Sequence, residues 1–314
     1  MLLSGNLKHF VKERLPFGSQ LSKQMNHWKR TRNKEAVRSK NLDIYSRILS
    51  PANGNALIAS SLADGSPLMV SRFGDVEAEC VYEYLAGSYQ RSPNRVSVAG
   101  LFPISKETLD KFSQLFLESS KAIDILGVWF QQGEPEIIRN SCPTAALMPL
   151  NALEPYFHDI PWSTMLEGKR VLVVHPFPQS ISEQYRNCRQ FLFQNQAVLP
   201  EFELVTLKAV QSFGGTKTEF DTWFDAYSWM CDRIQEQEFD AAILGCGAYG
   251  LPLAAYTKSL GKQAIHLGGA TQLLFGIRGK RWDSSPLYQS FYNEHWTRPK
   301  SEETPKNIPK YSYW

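Results

Sequence analysis

The feature that most constrains this chain is a recurring unit: a short, continuously apolar run, a glycine- or proline-containing turn, then a segment of helical periodicity. Lys169-Arg-Val-Leu-Val-Val-His175 is the clearest run, entered at Gly168 and ended by Pro176. Residues 68–73, 123–129, 202–210, 239–245 and 263–267 repeat the pattern. Runs without polar alternation suit strands buried on both faces, and such strands alternating with helices build a parallel sheet. The expected fold is α/β, a Rossmann-like, mostly parallel sheet with helices on both faces. Ligands of such sheets bind beyond the carboxyl ends of the strands, so the chemistry is expected in the loops that follow each run.

Between the runs, residues 41–65 read as a helix interrupted at Pro51 and Gly54. Glu77–Leu85, Leu109–Phe116, Ser182–Asn195 and Leu251–Leu260 read as further helices, and Thr218 as the cap of one reaching Glu238. Residues 131–168, rich in Pro and Asn, read as short helices and loops around the site. Three regions result: a basic extension over 1–40, a domain over 41–290, and an aromatic, proline-rich tail over 291–314.

Charge is uneven. Residues 1–40 carry ten Lys or Arg against Glu13 and Glu35, so the arm holds +8 and the remaining chain −5 of the overall +3. With Leu2, Leu3, Phe10, Phe17 and Trp28 interspersed, the arm suits either an anionic membrane surface or a solvated helical extension. No stacking platform or binding motif supports a nucleic-acid partner. No apolar run is long enough to span a bilayer, and the first residues lack a secretory pattern. Cytoplasmic residence is expected, with peripheral contact at the inner face of the membrane if the arm serves that purpose. The five cysteines are dispersed, which excludes a thiolate zinc site and leaves oxygen or imidazole as metal ligands.

Four loops carry the candidate residues. The first, Ser71-Arg-Phe-Gly-Asp-Val-Glu77, places Asp75 and Glu77 one residue apart after a bend at Gly74, with Arg72 able to balance a phosphate. Two hard carboxylates suit Mg2+ or Mn2+ and leave coordination positions for diphosphate and water. Acidic residues also favour helix N-termini for dipole reasons alone. The second loop, Val174–Gln184, offers His175 as a phosphate donor or base, and Ser180 or Ser182 at a helix start. The third, Leu244-Gly-Cys-Gly-Ala-Tyr-Gly250, spaces Gly245, Gly247 and Gly250 as in a dinucleotide fingerprint, with Tyr249 between the last two. His266 stands where that fingerprint needs an acid, which disfavours a dehydrogenase. The fourth, Ile265–Trp282, combines Gly268, Gly269 and Gln272 with Arg278, Lys280 and Arg281, a concentration of positive charge suited to a diphosphate.

Taken together, Arg72-Phe-Gly-Asp-Val-Glu77, His175–Ile181 with Gln184-Tyr185, Gly245–Gly250, Leu267–Gln272, Phe275-Gly276 and Lys280-Arg-Trp282 resemble the GT-D-fold glycosyltransferases. These are bacterial enzymes of surface-glycan and glycoprotein assembly. The resemblance spans roughly residues 55–285 in order, and the last block is its most specific part. It implies that Asp75 and Glu77 bind a divalent metal bridging the diphosphate of a UDP-sugar, for transfer to a glycan, glycolipid or glycoprotein acceptor. The family often reads Gly-Asp-Gly-Glu at the first loop; Val76 here removes backbone freedom between the carboxylates. Glu79, His175, Asp221 and Asp225 are the candidate bases for an acceptor hydroxyl. Two other functions stand beside this one. An S-adenosylmethionine-dependent methyltransferase would use the Gly245–Gly250 loop alone, and a non-catalytic protein would hold a nucleotide or glycan.

Overall fold

Among the described residues, seven strands form one sheet in the order β3-β2-β1-β7-β6-β4-β5, every neighbouring pair parallel. They are β1 (Leu68–Arg72), β2 (Ile125–Val128), β3 (Ala146–Pro149), β4 (Arg170–His175), β5 (Glu203–Lys208), β6 (Ala241–Leu244) and β7 (Gln263–His266). The structure is a computed structural model that describes Trp28, residues 31–305 and residues 313–314. Most of the arm read over residues 1–40, and with it most of the expected membrane contact, therefore lies outside the described residues.

The apolar runs form strands because both of their faces are covered. Along β4, Val171 and Val173 enter one core while Leu172 and Val174 enter the other. The helices are α1 (Pro51–Asp64), α2 (Asp75–Leu85), α3 (Lys106–Ser120), α4 (Glu134–Ser141), α5 (Pro178–Cys188), α6 (Trp223–Gln235), α7 (Gly250–Ser259) and α8 (Ala270–Leu274). Through Ile58, Leu62 and Ile181, α1 and α5 pack on the Val171 side. On the other side, α2, α3, α6 and α7 contribute Val81, Phe112, Met230 and Leu253. The two-faced α/β sheet expected from the sequence is thus present, and where a mostly parallel sheet was expected every described pair is parallel.

Several local expectations change. The helix read over Ser182–Asn195 runs instead from Pro178 to Cys188, starting at a proline whose missing N–H costs nothing in the first turn. Pro51 begins a helix rather than breaking one: it is the first residue of α1, and the Ser50 hydroxyl accepts from Asn53 N at 3.2 Å. The cap of α6 is Thr222, not Thr218. Thr222 and Asp225 form a reciprocal capping box, which fixes the helix start four residues later. β3 arises within the stretch read as short helices and loops; it is an edge strand of four residues ending in Pro149.

Topology gathers the candidate loops. From β1 the chain winds outward to β2, and from β4 outward to β5, while β6 and β7 fill the middle. The carboxyl ends of β1, β7, β6 and β4 therefore adjoin where the winding direction reverses, the usual ligand crevice of an open parallel sheet. Beyond α8, Ile277 pairs with Thr297, and Trp296 and Trp314 are buried in the core shared with α1 and α5.

Candidate functional site

β1 delivers Arg72 to the sheet end, Gly74 caps α2, and Asp75 and Glu77 occupy the first turn of that helix. A Cβ on Gly74 would lie 2.1 Å from Glu77 Oε2, so only glycine lets the Glu77 side chain fold back over the turn. Burial, and then the Asp75 carboxylate, push the Glu77 carboxyl up to about 7. Asp75 is exposed and receives Arg95 at 3.2 Å. The same guanidinium pairs with Glu79, which also takes Arg91 at 3.0 Å. Among the described residues no group of three or more His, Cys, Asp or Glu is placed to hold a metal ion.

Beside this turn lies a cleft of ≈ 840 Å³ lined by Asp75, Glu79, Arg95, Trp129, Arg281 and residues from 33–41. Its Trp129 wall is held by several contacts. The indole Nε1 donates to Phe73 O at 3.0 Å, and the Arg72 guanidinium lies 4.8 Å from a ring centroid of Trp129. The Glu134 carboxylate accepts from Trp129 N at 3.2 Å, Phe130 N at 2.8 Å and Tyr45 OH at 3.0 Å. Those bonds fix a kink in which Phe130 adopts φ 62°, a conformation L-residues seldom take. Behind the cleft, buried Glu154 accepts from Tyr156 and, at 3.1 Å, from Tyr288. Burial raises the pKa of Glu154, and the tyrosine hydrogen bonds and the charges of Arg72 and Arg281 oppose that rise.

The other strand ends are packed more tightly. His175 is buried, accepts from Phe177 N at its Nδ1 at 3.0 Å, and is pushed down to about 3 by burial. It is therefore a neutral imidazole with its hydrogen on Nε2, a donor toward that side. His266 is likewise neutral, shifted to about 3 by burial and then by Arg72, and its Nδ1 lies 3.1 Å from Ser71 Oγ. A Cβ at Gly250 would sit 2.4 Å from His266 Nε2, so this glycine allows α7 to approach β7. Gly245 adjoins the His175 ring and Thr271, and Gly247 is exposed. Tyr249 points inward, stacked on Trp223 at 4.6 Å.

The expected anion seats near α5 and α8 are occupied by the chain itself. The α5 N-terminus begins at Pro178, and Glu303 caps it, accepting from Gln179 N at 2.7 Å, Ser180 N at 3.1 Å and the Ser180 hydroxyl. Against the fourth loop lie Tyr313 and Trp314. Gln272 Nε2 donates to Tyr313 O at 3.0 Å, and Lys280 N to Trp314 O at 3.2 Å. A Cβ on Gly269 would meet the Tyr313 ring at 2.4 Å, and Gly268 turns at φ +62° beside Arg72. Arg281 lies 4.6 Å from the Tyr313 ring centroid, while Arg278 stacks on Tyr292 at 4.8 Å.

The cleft thus brings together Asp75, next to Glu77 and Arg72, with Arg281. His175, Gly245, His266 and Gly268 line the adjoining strand ends; Tyr249 and Arg278 face other side chains. Arg91, Arg95, Trp129, Glu134 and Glu154 were not legible as site residues, because they come from three connections, after α2, β2 and β3, that only the fold brings near the β1 turn. Among the four candidate bases Glu79 alone lines the cleft, between two arginines; Asp225 is engaged in the α6 cap. All five cysteines are free, and among the described residues no helix is long and apolar enough to cross a membrane.

A doubly wound parallel sheet with a polar cleft beside the carboxyl ends of β1 and β2 defines the class, an α/β protein of the open-sheet type. No protein-family model matches the chain, and no curated protein matches it. Two solved structures are similar. One is a selenomethionine-substituted structure of domain of unknown function 1792, at 14% identity and TM-score 0.48, covering 86% of this chain and 96% of the other. The second is described as showing that this highly conserved domain "has a distinct glycosyltransferase fold"; it has 15% identity, TM-score 0.47 and the same 86% and 96% coverage. At that identity and overlap the likeness carries no argument about chemistry.

Proposed function

We propose that the protein is a metal-dependent glycosyltransferase that takes a sugar from a nucleotide-sugar donor, UDP-linked by the sequence resemblance, and passes it to a glycan, glycolipid or glycoprotein acceptor in bacterial surface-polysaccharide assembly. The observation that carries the reading is the Asp75–Glu77 turn on the cleft. Two carboxylates crowd one helix start, with Asp75 on the cleft, and burial and the Asp75 charge push Glu77 up to about 7 although Arg72 and Arg95 oppose the rise. Hard oxygen donors crowded in this way fit Mn2+ or Mg2+, with coordination positions left over for a diphosphate. Bound there, the cation would neutralise charge on the departing nucleoside diphosphate. Arg281 in the cleft lining and Arg72 beside Trp129 would take further negative charge of the leaving group. Neutral His175 would supply a hydrogen-bond donor at the neighbouring strand end, and Glu134 pins the Trp129 wall.

Calorimetric titration of UDP with and without Mn2+, alongside S-adenosylmethionine, tests the reading. Metal-dependent UDP binding is expected, and Asp75→Ala or Glu77→Ala should remove the metal dependence while the circular dichroism spectrum stays unchanged. Undiminished metal dependence in both variants would overturn the assigned role. A response to S-adenosylmethionine with none to UDP would transfer the site to methyl-transfer chemistry.

A further inference from the structure

The basic arm reaches into the cleft. Residues 31–40 are helical, and Asn33, Lys34, Val37, Lys40 and Asn41 line the cavity. Positions spaced by three and four residues share one face of a helix. A face that served only to pack against the domain would be mainly apolar, yet here Ala36 and Val37 stand among Asn33, Lys34, Lys40 and Asn41. The segment is also held in place. Arg139 donates to Asn41 Oδ1 at 2.8 Å and pairs with Asp43 at 2.9 Å, and Lys34 Nζ lies 5.2 Å from a Trp129 ring centroid. Within the cleft Arg95 already spans Asp75 and Glu79, whereas Lys40 and Arg281 make no ion pair among the described residues. Around the cavity Lys34, Lys40, Arg91, Arg95 and Arg281 thus outnumber Asp75, Glu79 and Glu136.

We propose that Lys34 and Lys40 bind the diphosphate of the nucleotide donor, making residues 31–41 a wall of the donor site; this rests on the nucleotide-sugar reading above. The two lysine stems leave the helix about 9 Å apart along its axis and about 120° apart around it, so that they flank the Val37 face. Their flexibility lets both ammonium groups reach one dianionic group in the cleft as point charges.

The test titrates UDP and UMP, each with Mn2+, into the full-length protein and its Lys34→Gln/Lys40→Gln variant. UDP affinity should fall by about tenfold or more, as for loss of charge-assisted hydrogen bonds, and UMP affinity by less. A Lys34→Arg/Lys40→Arg variant should keep most of the UDP affinity, which separates charge from lost packing. Sedimentation with phosphatidylserine vesicles runs in parallel. Equal UDP affinity in wild type and the glutamine variant overturns the proposal. If that variant also loses vesicle binding, the lysines belong to a membrane-facing surface. Failure of the wild-type protein to bind UDP at all overturns the donor reading and this inference together.

Discussion

Glu134 illustrates how one side chain couples stability to site geometry. It is fully buried, and its carboxylate ties the Trp129–Phe130 kink to Tyr45. Burial pushes its carboxyl from 4.5 up to about 7. The folded chain keeps a proton that the unfolded chain gives up above 4.5, so this group's contribution to stability declines as pH rises through that window and is level beyond it. Glu77 shifts in the same direction, so the measurement must isolate Glu134. Urea midpoints for wild type and Glu134→Gln at pH 5 and pH 8 do so: wild type should lose more stability over that interval than the variant. Equal losses would mean the carboxyl titrates normally. At this scale the sequence was informative where chemistry is local. Arg72, Asp75 and Glu77 sit within one loop and could be read together, whereas Trp129, Glu134 and Glu154 join the site through distant partners as well: Phe73, Tyr45 and Tyr288.

At the scale of elements, the apolar runs were legible because burial on both faces leaves a continuous signature that needs no partner to be recognised. Six of the seven strands lie within the runs read from sequence. β3 did not show because four residues at a sheet edge are too few to display a period. Helix starts were less legible, since several Ser and Thr compete and the fold selects among them. At α6 the selection fell on Thr222, whose capping box with Asp225 launches Trp223 into its stack with Tyr249 at 4.6 Å. Thr222→Ala should therefore cost about 1 kcal/mol, read as a lowered urea midpoint with unchanged slope. At α5 the capping group is Glu303, more than a hundred residues away, which no local pattern encodes.

For the molecule as a whole, both ends of the described chain converge on the mouth of the sheet. The 31–41 segment forms a cleft wall, and Trp314 is buried between Phe177, at 5.5 Å, and Phe213, at 5.6 Å, with its indole donating to Glu303 O at 3.0 Å. Those contacts make the end of the chain part of the core. Trp314→Ala should destabilise the protein by about 3–5 kcal/mol in chemical unfolding, as for other buried tryptophans. A loss below ~1 kcal/mol would mean that the ring adds little to the packing.

The carboxylate at the α5 N-terminus has one more consequence. A phosphate arriving there meets a competitor fastened to the same chain, and a tethered group acts at an effective concentration of about millimolar or above. Dilute anions of no greater affinity leave Glu303 in its seat, so the chain's own carboxylate keeps this helix end closed to them.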